Sequence, residues 1–410
     1  DAGENVLVIG GIGPLTGSAA SYGQGVMKGA QLAVDEINKA GGVNGMQLSL
    51  NFQDDEHTTD KAVNAYNTLK DKGMKLLMGT VTSNPCVAVA EKTHEDNMFQ
   101  LTPSGSSVAC TQYDNAFRIC FNDPNQGTVS AQYIAENNIA SKIAIIYDSS
   151  DVYSSGIKDK FVAEAANRNL EIVATEAFTS DSKTDFSVQL QKIQASGAEL
   201  VFLPIYYSEA AMILSQANKN GLDVKWFGCD GLDGLIAQLG DEVALAVGVM
   251  LLAPFVADAQ DAKTSAFVSA YKAANNDETP NQFAADAYDA IYAIKAALEK
   301  AGRRFDQRFR PLRPAGSGHD ADSGCRCYRY HDLGCRRRAD QGAEGYENRK
   351  RRLHRYVSCP RILQQRSCPF SKGRLLFSIP GLVLGGRASC PGARQDRPFA
   401  YCRRRAAFFL

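Results

Sequence analysis

Short apolar runs of strand length alternate with segments of helical period along this chain, and after Asn122 the alternation starts again. The first set of runs is Val6 to Ile9, Met46 to Phe52, Lys75 to Met78, Met98 to Leu101 and Phe117 to Phe121. The second is Lys142 to Tyr147, Glu171 to Phe178, Glu199 to Leu203, Val224 to Phe227 and Val243 to Leu252. Helical periods lie between them, among others at Tyr22 to Lys39, Tyr153 to Arg168, Asp185 to Ala195, Ser208 to Asn220 and Leu232 to Leu239. A strand that is apolar on both faces needs a cover on each, and the intervening helices supply it, so the expected class is α/β with parallel sheets. Two rounds of one plan predict two Rossmann-like lobes with a cleft between them.

Open parallel sheets bind ligands beyond the carboxyl ends of their strands, so the residues that follow each run are the candidates. In the first half these are Gly13 to Tyr22, Thr80 to Asn84 and Thr102 to Ser107; in the second, Asp148 to Tyr153, Tyr206-Tyr207 and Cys229-Asp230-Gly231. One half offers hydroxyls and free amides, which suit a carboxylate. The other offers tyrosines and Asp230, which suit an ammonium group and an apolar side chain. Together they are partners for an amino acid. The glycines Gly10, Gly11, Gly13 and Gly17 read as a tight loop whose amides, with the N-terminus of the helix from Tyr22, would face an anionic group. Each feature also has a plainer reading: serines and threonines as helix caps, Asp230-Gly231 as a turn, the tyrosine pair as strand-end packing. A dinucleotide fingerprint is disfavoured, because Thr16 stands where the third glycine belongs and Pro14 occupies the turn.

Charge divides the chain near Gly302. Residues 1–300 carry 20 basic and 37 acidic side chains, a net −17, whereas residues 301–410 carry 25 and 8, a net +17. The second part uses arginine almost to the exclusion of lysine, in runs such as Arg336 to Arg338 and Arg403 to Arg405, and keeps no hydrophobic period. Basic runs of this kind suit a nucleic-acid arm, but the composition reads better as translation in the wrong frame, and no nucleic-acid partner is expected. Cys325, Cys327, Cys335 and His331 lack the paired spacing of a zinc site, and the run Arg374 to Leu384 is too short to span a membrane. No metal and no cofactor is expected anywhere in the chain.

The remaining 300 residues are too many for one ordinary core and suit two domains. No charged and apolar leader precedes Asp1, so a secretion signal is expected to have been removed or never to have existed. Of the four cysteines in this part, Cys110 and Cys120 enclose a short loop that an oxidising compartment would bridge; free buried thiols are the alternative. For an enzyme the candidates are His57 and His94 with Asp54, Asp55 and Glu56. No nucleophile elbow, His-Glu-x-x-His helix or paired Cys-x-x-Cys accompanies them, and the chain is not expected to be an enzyme.

Several segments then point to a family: Gly13-Pro-Leu-Thr-Gly-Ser-Ala-Ala-Ser-Tyr-Gly23, Gly29-Ala-Gln-Leu-Ala-Val-Asp-Glu-Ile-Asn-Lys-Ala-Gly-Gly-Val-Asn-Gly45, Gly79-Thr-Val-Thr-Ser83, Leu101-Thr-Pro103, Phe117-Arg118, Ile143-Ala-Ile-Ile-Tyr-Asp148 and Phe283-Ala-Ala-Asp-Ala-Tyr-Asp289. On these, residues 5–301 resemble the branched-chain amino acid (Leu/Ile/Val) binding proteins of ABC importers, with the type I periplasmic-binding fold. The resemblance implies two lobes joined by a multi-strand hinge: lobe 1 from 1–121 and 256–301, lobe 2 from 122–255, and a tail at 302–410 in place of the end of lobe 2. It implies an extracytoplasmic receptor, periplasmic or lipid-anchored at the cell surface and monomeric, that delivers a neutral aliphatic amino acid to a membrane permease.

The site residues it implies are Tyr22 beside the ligand side chain, and Ser83, Ser104 and Ser106 around the carboxylate and part of the ammonium. Tyr153 and one of Tyr206 or Tyr207 would close from the second lobe, Asp230 would pair with the ammonium and Phe283 would line the aliphatic pocket. The chain departs from the family pattern at Asn84-Pro85-Cys86, where more serine is usual, and in the longer approach Asp148 to Tyr153. The alternatives are a sensing domain of the same fold, or a binding protein for another small carboxylate or amide.

Overall fold

The computed structural model describes residues 5–302, and the arginine-rich tail lies outside them. The first five strands, β1 (Val6–Gly13), β2 (Gln47–Asp54), β3 (Leu76–Gly79), β4 (Gln100–Thr102) and β5 (Ala116–Arg118), form a parallel sheet in the order β2-β1-β3-β4-β5. The second five, β6 (Lys142–Asp148), β7 (Glu171–Phe178), β8 (Leu200–Leu203), β9 (Lys225–Gly228) and β10 (Met250–Leu251), form another in the order β10-β9-β8-β6-β7. Both orders double back on themselves, which opens a crevice at the carboxyl edge of each sheet. Both sheets lie in one compact unit that runs through Tyr292.

The helices α1 (Ala20–Lys39), α2 (Thr59–Asp71), α3 (Ser83–Glu95), α4 (Asp123–Glu136), α5 (Val152–Asn167), α6 (Ser187–Ser196), α7 (Tyr207–Lys219) and α8 (Leu235–Leu239) follow their strands, and α9 (Ala262–Ala274) and α10 (Gln282–Ala301) close the described chain. In the second sheet Ile143, Ile145, Phe202 and Phe227 are buried against Ile134 of α4 and Ile157 and Phe161 of α5. In the first, Ile12 and Leu77, with Met74 of the loop before β3, pack on Tyr66, Leu69 and Val89. Each such side chain contributes about 1.5–3 kcal/mol by leaving water. The chain passes from one sheet to the other after β5 and returns after β10. The return brings Gly29 of α1 so close to α10 that a Cβ there would lie 2.1 Å from the Ala284 carbonyl oxygen.

Three expectations need correction. The run Val243 to Leu252 is not one strand: Gly240–Ala246 coils into 3-10 turns, Val247 is 69% exposed, and only Met250–Leu251 pairs with β9. Gly248, at φ 85, breaks the run. The segment Leu232 to Leu239 is likewise a 3-10 turn at Asp230–Leu232 and then the short α8. Finally, β1 does not stop at Ile9 but continues through its glycines to Gly13. A Cβ would lie 2.0 Å from the Met74 sulfur at Gly10, 2.3 Å from the Phe52 ring at Gly11 and 2.4 Å from Val81 at Gly13. Those glycines admit neighbouring side chains rather than a ligand.

Candidate functional site

The carboxyl ends of the two sheets face each other across a narrow, partly open cavity. Val81, Thr82, Ser83, Ser104 and Ser106 line it from the loops after β3 and β4, Tyr22 from α1 and Phe283 from α10. Tyr153, Tyr206, Asp230 and Gly231 line it from the second sheet.

The serine side is built by short-range hydrogen bonds. Ser83 is the first residue of α3, whose free N-terminal amides favour an anion. Its Oγ accepts from the Ser107 amide at 3.2 Å, while Ser104 Oγ donates to the Val81 carbonyl at 2.6 Å. Thr102 Oγ1 donates to the Thr80 carbonyl at 2.6 Å and accepts from the Gly105 amide at 2.7 Å, which folds the loop back on its own strand. Arg118, from the end of β5, donates to the Ser106 and Ser107 carbonyls at 2.6 and 3.0 Å. The loop is thereby held with its hydroxyls at the cavity.

The opposite side centres on Asp230, which is 3% exposed. Its carboxylate accepts from Tyr153 Oη at 2.8 Å and Gln282 Nε2 at 3.3 Å, and its amide donates to Gln126 Oε1 at 3.3 Å. Burial pushes this carboxyl up to about 6, against hydrogen bonds, that of Tyr153 foremost, which favour the charged form. A cation brought beside it would restore ionisation. Burial likewise raises the phenols of Tyr22, Tyr153 and Tyr206, so all three stay protonated donors. Tyr153 is placed by Asp151, the N-cap of α5, which accepts from the Tyr153 amide at 3.2 Å.

Between the two polar poles the wall is aromatic. Tyr22 and Phe283 pack with ring centroids 4.3 Å apart, and Tyr153 stacks on Tyr206 at 4.9 Å. Tyr22 Oη donates to the Gly231 carbonyl, and Asn84 bridges the mouth by donating to the Ser150 carbonyl at 3.1 Å and accepting from the Val152 amide at 3.2 Å. Beyond Tyr206 lies a second cavity lined by His57, Asp148, Asp151, Lys183 and Glu209. There burial pushes the Asp151 carboxyl up to about 7 and holds the His57 imidazole down at about 4.

Eight of the nine residues expected at the site line the first cavity; the ninth, Tyr207, does not. Its ring stands edge-on to Tyr22 at 5.0 Å and its Oη accepts from the Ser21 amide at 3.2 Å, so it backs Tyr22 instead of facing the cavity. The first loop also differs from expectation. The Leu15 amide and Thr16 Oγ1 donate to the Asp54 carboxylate at 2.8 and 2.6 Å, and the chain's own anion thus takes the place foreseen for a ligand's. Sequence reading did not find Arg118, Gln126 or Gln282 as supports: Gln126 and Gln282 reach Asp230 from distant segments, while Arg118 bonds the nearby Ser106 and Ser107 carbonyls, a contact that spacing does not show. All four cysteines of the described residues are free and buried, Cys110 and Cys120 included. His57 Nδ1 lies 2.8 Å from Thr82 Oγ1, and His94 stacks on Tyr113 at 4.3 Å. Among the described residues no group of three or more His, Cys, Asp or Glu could hold a metal ion, and no helix is long and apolar enough to cross a membrane.

Comparison with known proteins agrees with this architecture. The chain is 32% identical over 304 residues to Leu/Ile/Val-binding protein homolog 3 of Brucella melitensis, covering 73% of this chain and 80% of that one. It is 31% identical over 294 residues to the leucine-, isoleucine-, valine-, threonine- and alanine-binding protein of Pseudomonas aeruginosa, covering 71% and 77%. Among solved structures it superimposes on the branched-chain amino acid transporter substrate-binding protein LivJ of Streptococcus pneumoniae in complex with isoleucine. That match has a TM-score of 0.68 and 30% identity, over 74% of this chain and 87% of that one. The leucine-binding protein LivK of Thermotoga maritima gives a TM-score of 0.67 at 25% identity over the same shares. The profile of the periplasmic binding protein family matches residues 6–309, and the chain belongs to that family of solute-binding proteins.

Proposed function

We propose that this protein captures a neutral aliphatic amino acid, of the leucine, isoleucine and valine class, and delivers it to the membrane permease of an ABC importer. The observation that carries this reading is the pairing of poles across one small aromatic cavity: the α3 N-terminus with Ser83, Ser104 and Ser106 on one side and buried Asp230 on the other. The α-carboxylate goes to the serines and amides, the ammonium to Asp230 with part of the serine loop, and the aliphatic side chain to Tyr22, Tyr153, Tyr206 and Phe283. A charged side chain would meet only aromatic faces there, at the cost of losing its water. The binding lobes are 1–121 with 256–301, and 122–255. The ligand's contacts with both favour the closed arrangement, and that arrangement is what the permease recognises. The chain acts outside the cytoplasm as a monomer and performs no chemistry on its ligand.

A thermal-shift screen against the twenty amino acids and a set of small carboxylic acids tests the reading, because a ligand that binds only the folded state raises the melting temperature. A selective rise with leucine, isoleucine or valine is expected. A cooperative melt that moves only for an aromatic acid or an amide would refute the assignment.

A further inference from the structure

Cys86 and Cys110 take no part in the ligand site, yet they meet directly behind it. Cys86 occupies the first turn of α3, one turn after Ser83, and Cys110 lies in the 3-10 turn Val108–Thr111. Helical side chains lean back toward the preceding turn. The Cys110 Sγ points at that same place, donating to the Ser83 carbonyl at 3.7 Å. Both residues are fully buried. The two side chains are electrostatic neighbours: Cys110 pulls the Cys86 thiol below its usual range, while burial raises the thiol of Cys110. Cys86 Sγ also presses on the serine loop: a Cβ added at Gly105 would lie 2.8 Å from it. Of the other two thiols among the described residues, Cys229 follows β9 of the second sheet, with Ser130 Oγ at 3.8 Å, and Cys120 lies beyond β5.

We propose that Cys86 and Cys110 form a disulfide that staples the Ser104–Ser107 loop and its 3-10 turn to the N-terminus of α3. The carboxylate cradle is thus held from behind by a covalent bond. The reaction is thiol–disulfide exchange with a disulfide-bearing carrier, either a thiol oxidoreductase or glutathione disulfide. The Cys86 thiolate attacks the carrier's disulfide and releases one carrier thiol. The Cys110 sulfur then displaces the second, so two protein S–H bonds give way to one S–S bond and the carrier is reduced to two thiols. Because both sulfurs are buried in the folded chain, the exchange takes place during folding, before α3 and the loop close over them. The proposal concerns the scaffold and does not depend on which solute is bound.

The test is a peptide map of the full chain, purified without reductant, then unfolded and refolded in a glutathione redox buffer. After alkylation in denaturant, trypsin places Cys86 in residues 76–92, Cys110 in 93–118 and Cys120 in 119–142. The expected result is 76–92 linked to 93–118, parted by reductant, and the same link in Cys120→Ser. Reduction of the linked protein is expected to lower its melting temperature by roughly 5 °C. The proposal is overturned if the first two peptides are recovered alkylated and separate, if 93–118 is linked to 119–142 or to a cysteine of the tail, or if reduction leaves the melting temperature unchanged.

Discussion

Replacing Asp230 by Asn separates the two consequences of burying this carboxylate. Asn keeps the shape and an acceptor for the Tyr153 hydroxyl, 2.8 Å away, and removes only the charge. A hydrogen bond to a charged group contributes about 1.5–3 kcal/mol and a neutral one about 0.5–1.5, so the ligand's ammonium loses roughly 1–2 kcal/mol, or about 5- to 30-fold in affinity. Without ligand the effect has the opposite sign. Burial raises the Asp230 carboxyl from 3.8 to about 6. A raised acid gives the folded state its full advantage below the unfolded value and loses it as pH rises through the folded one. At pH 8 the ionised Asp230 therefore costs the ligand-free cleft roughly 3 kcal/mol, a cost the Asn variant does not carry. Calorimetric titration with leucine should show the weakened affinity, while the ligand-free melting temperature at pH 8 stays equal or rises. Affinity unchanged within about twofold would remove Asp230 from the ammonium site. A fall in both affinity and ligand-free stability would assign it a structural role instead.

Three further outcomes follow from the same geometry. Because Asp230 must be ionised to pair an ammonium, affinity should be constant above about pH 7 and weaken toward about tenfold per unit below its value of about 6; calorimetry from pH 8 to pH 5 with a flat result would contradict this. Asn84→Ala removes both hydrogen bonds across the cleft mouth, to Ser150 and Val152, and should weaken ligand binding about 3- to 10-fold with the ligand-free melting temperature unchanged. Gly105→Ala places a Cβ 2.7 Å from Thr102 Oγ1 and 2.8 Å from Cys86 Sγ; it should cost about 1–3 kcal/mol in chemical denaturation and also weaken ligand binding, since the serine loop has to shift.

The alternation of apolar runs and helical periods was enough to read the fold class, because each parallel strand needs covers that the sequence must encode in order. It also indicated which loops share an edge, Thr80 to Asn84, Thr102 to Ser107, Asp148 to Tyr153 and Cys229 to Gly231; the choice of Ser83, Ser104, Ser106 and Tyr153 within them came from the family resemblance. What lay beyond reach was decided by contacts between distant segments. Tyr206 and Tyr207 are adjacent and alike, yet one faces the cavity and the other backs Tyr22, because α7 begins between them. The glycines of β1 have the composition of a ligand loop but make room for Met74, Phe52 and Val81. Asp54 answers the amides of Leu15 and Thr16 from the neighbouring strand. The run Val243 to Leu252 is apolar without being a strand: Gly240–Ala246 is 3-10 and Val243 and Val247 are exposed, so apolar composition alone does not mark a buried strand. The pairing of thiols was open to more than one reading from spacing alone. Cys110 is closer in sequence to Cys120, but it is Cys86 that α3 brings to it.

Equilibrium dialysis of the purified chain against labelled leucine, with unlabelled isoleucine, valine and lysine as competitors, addresses the central claim most directly. The two poles and the aromatic wall predict one saturable site per chain, displaced by isoleucine and valine and untouched by lysine. A cooperatively folded protein that retains no leucine, or one that releases it equally to lysine, would contradict the account.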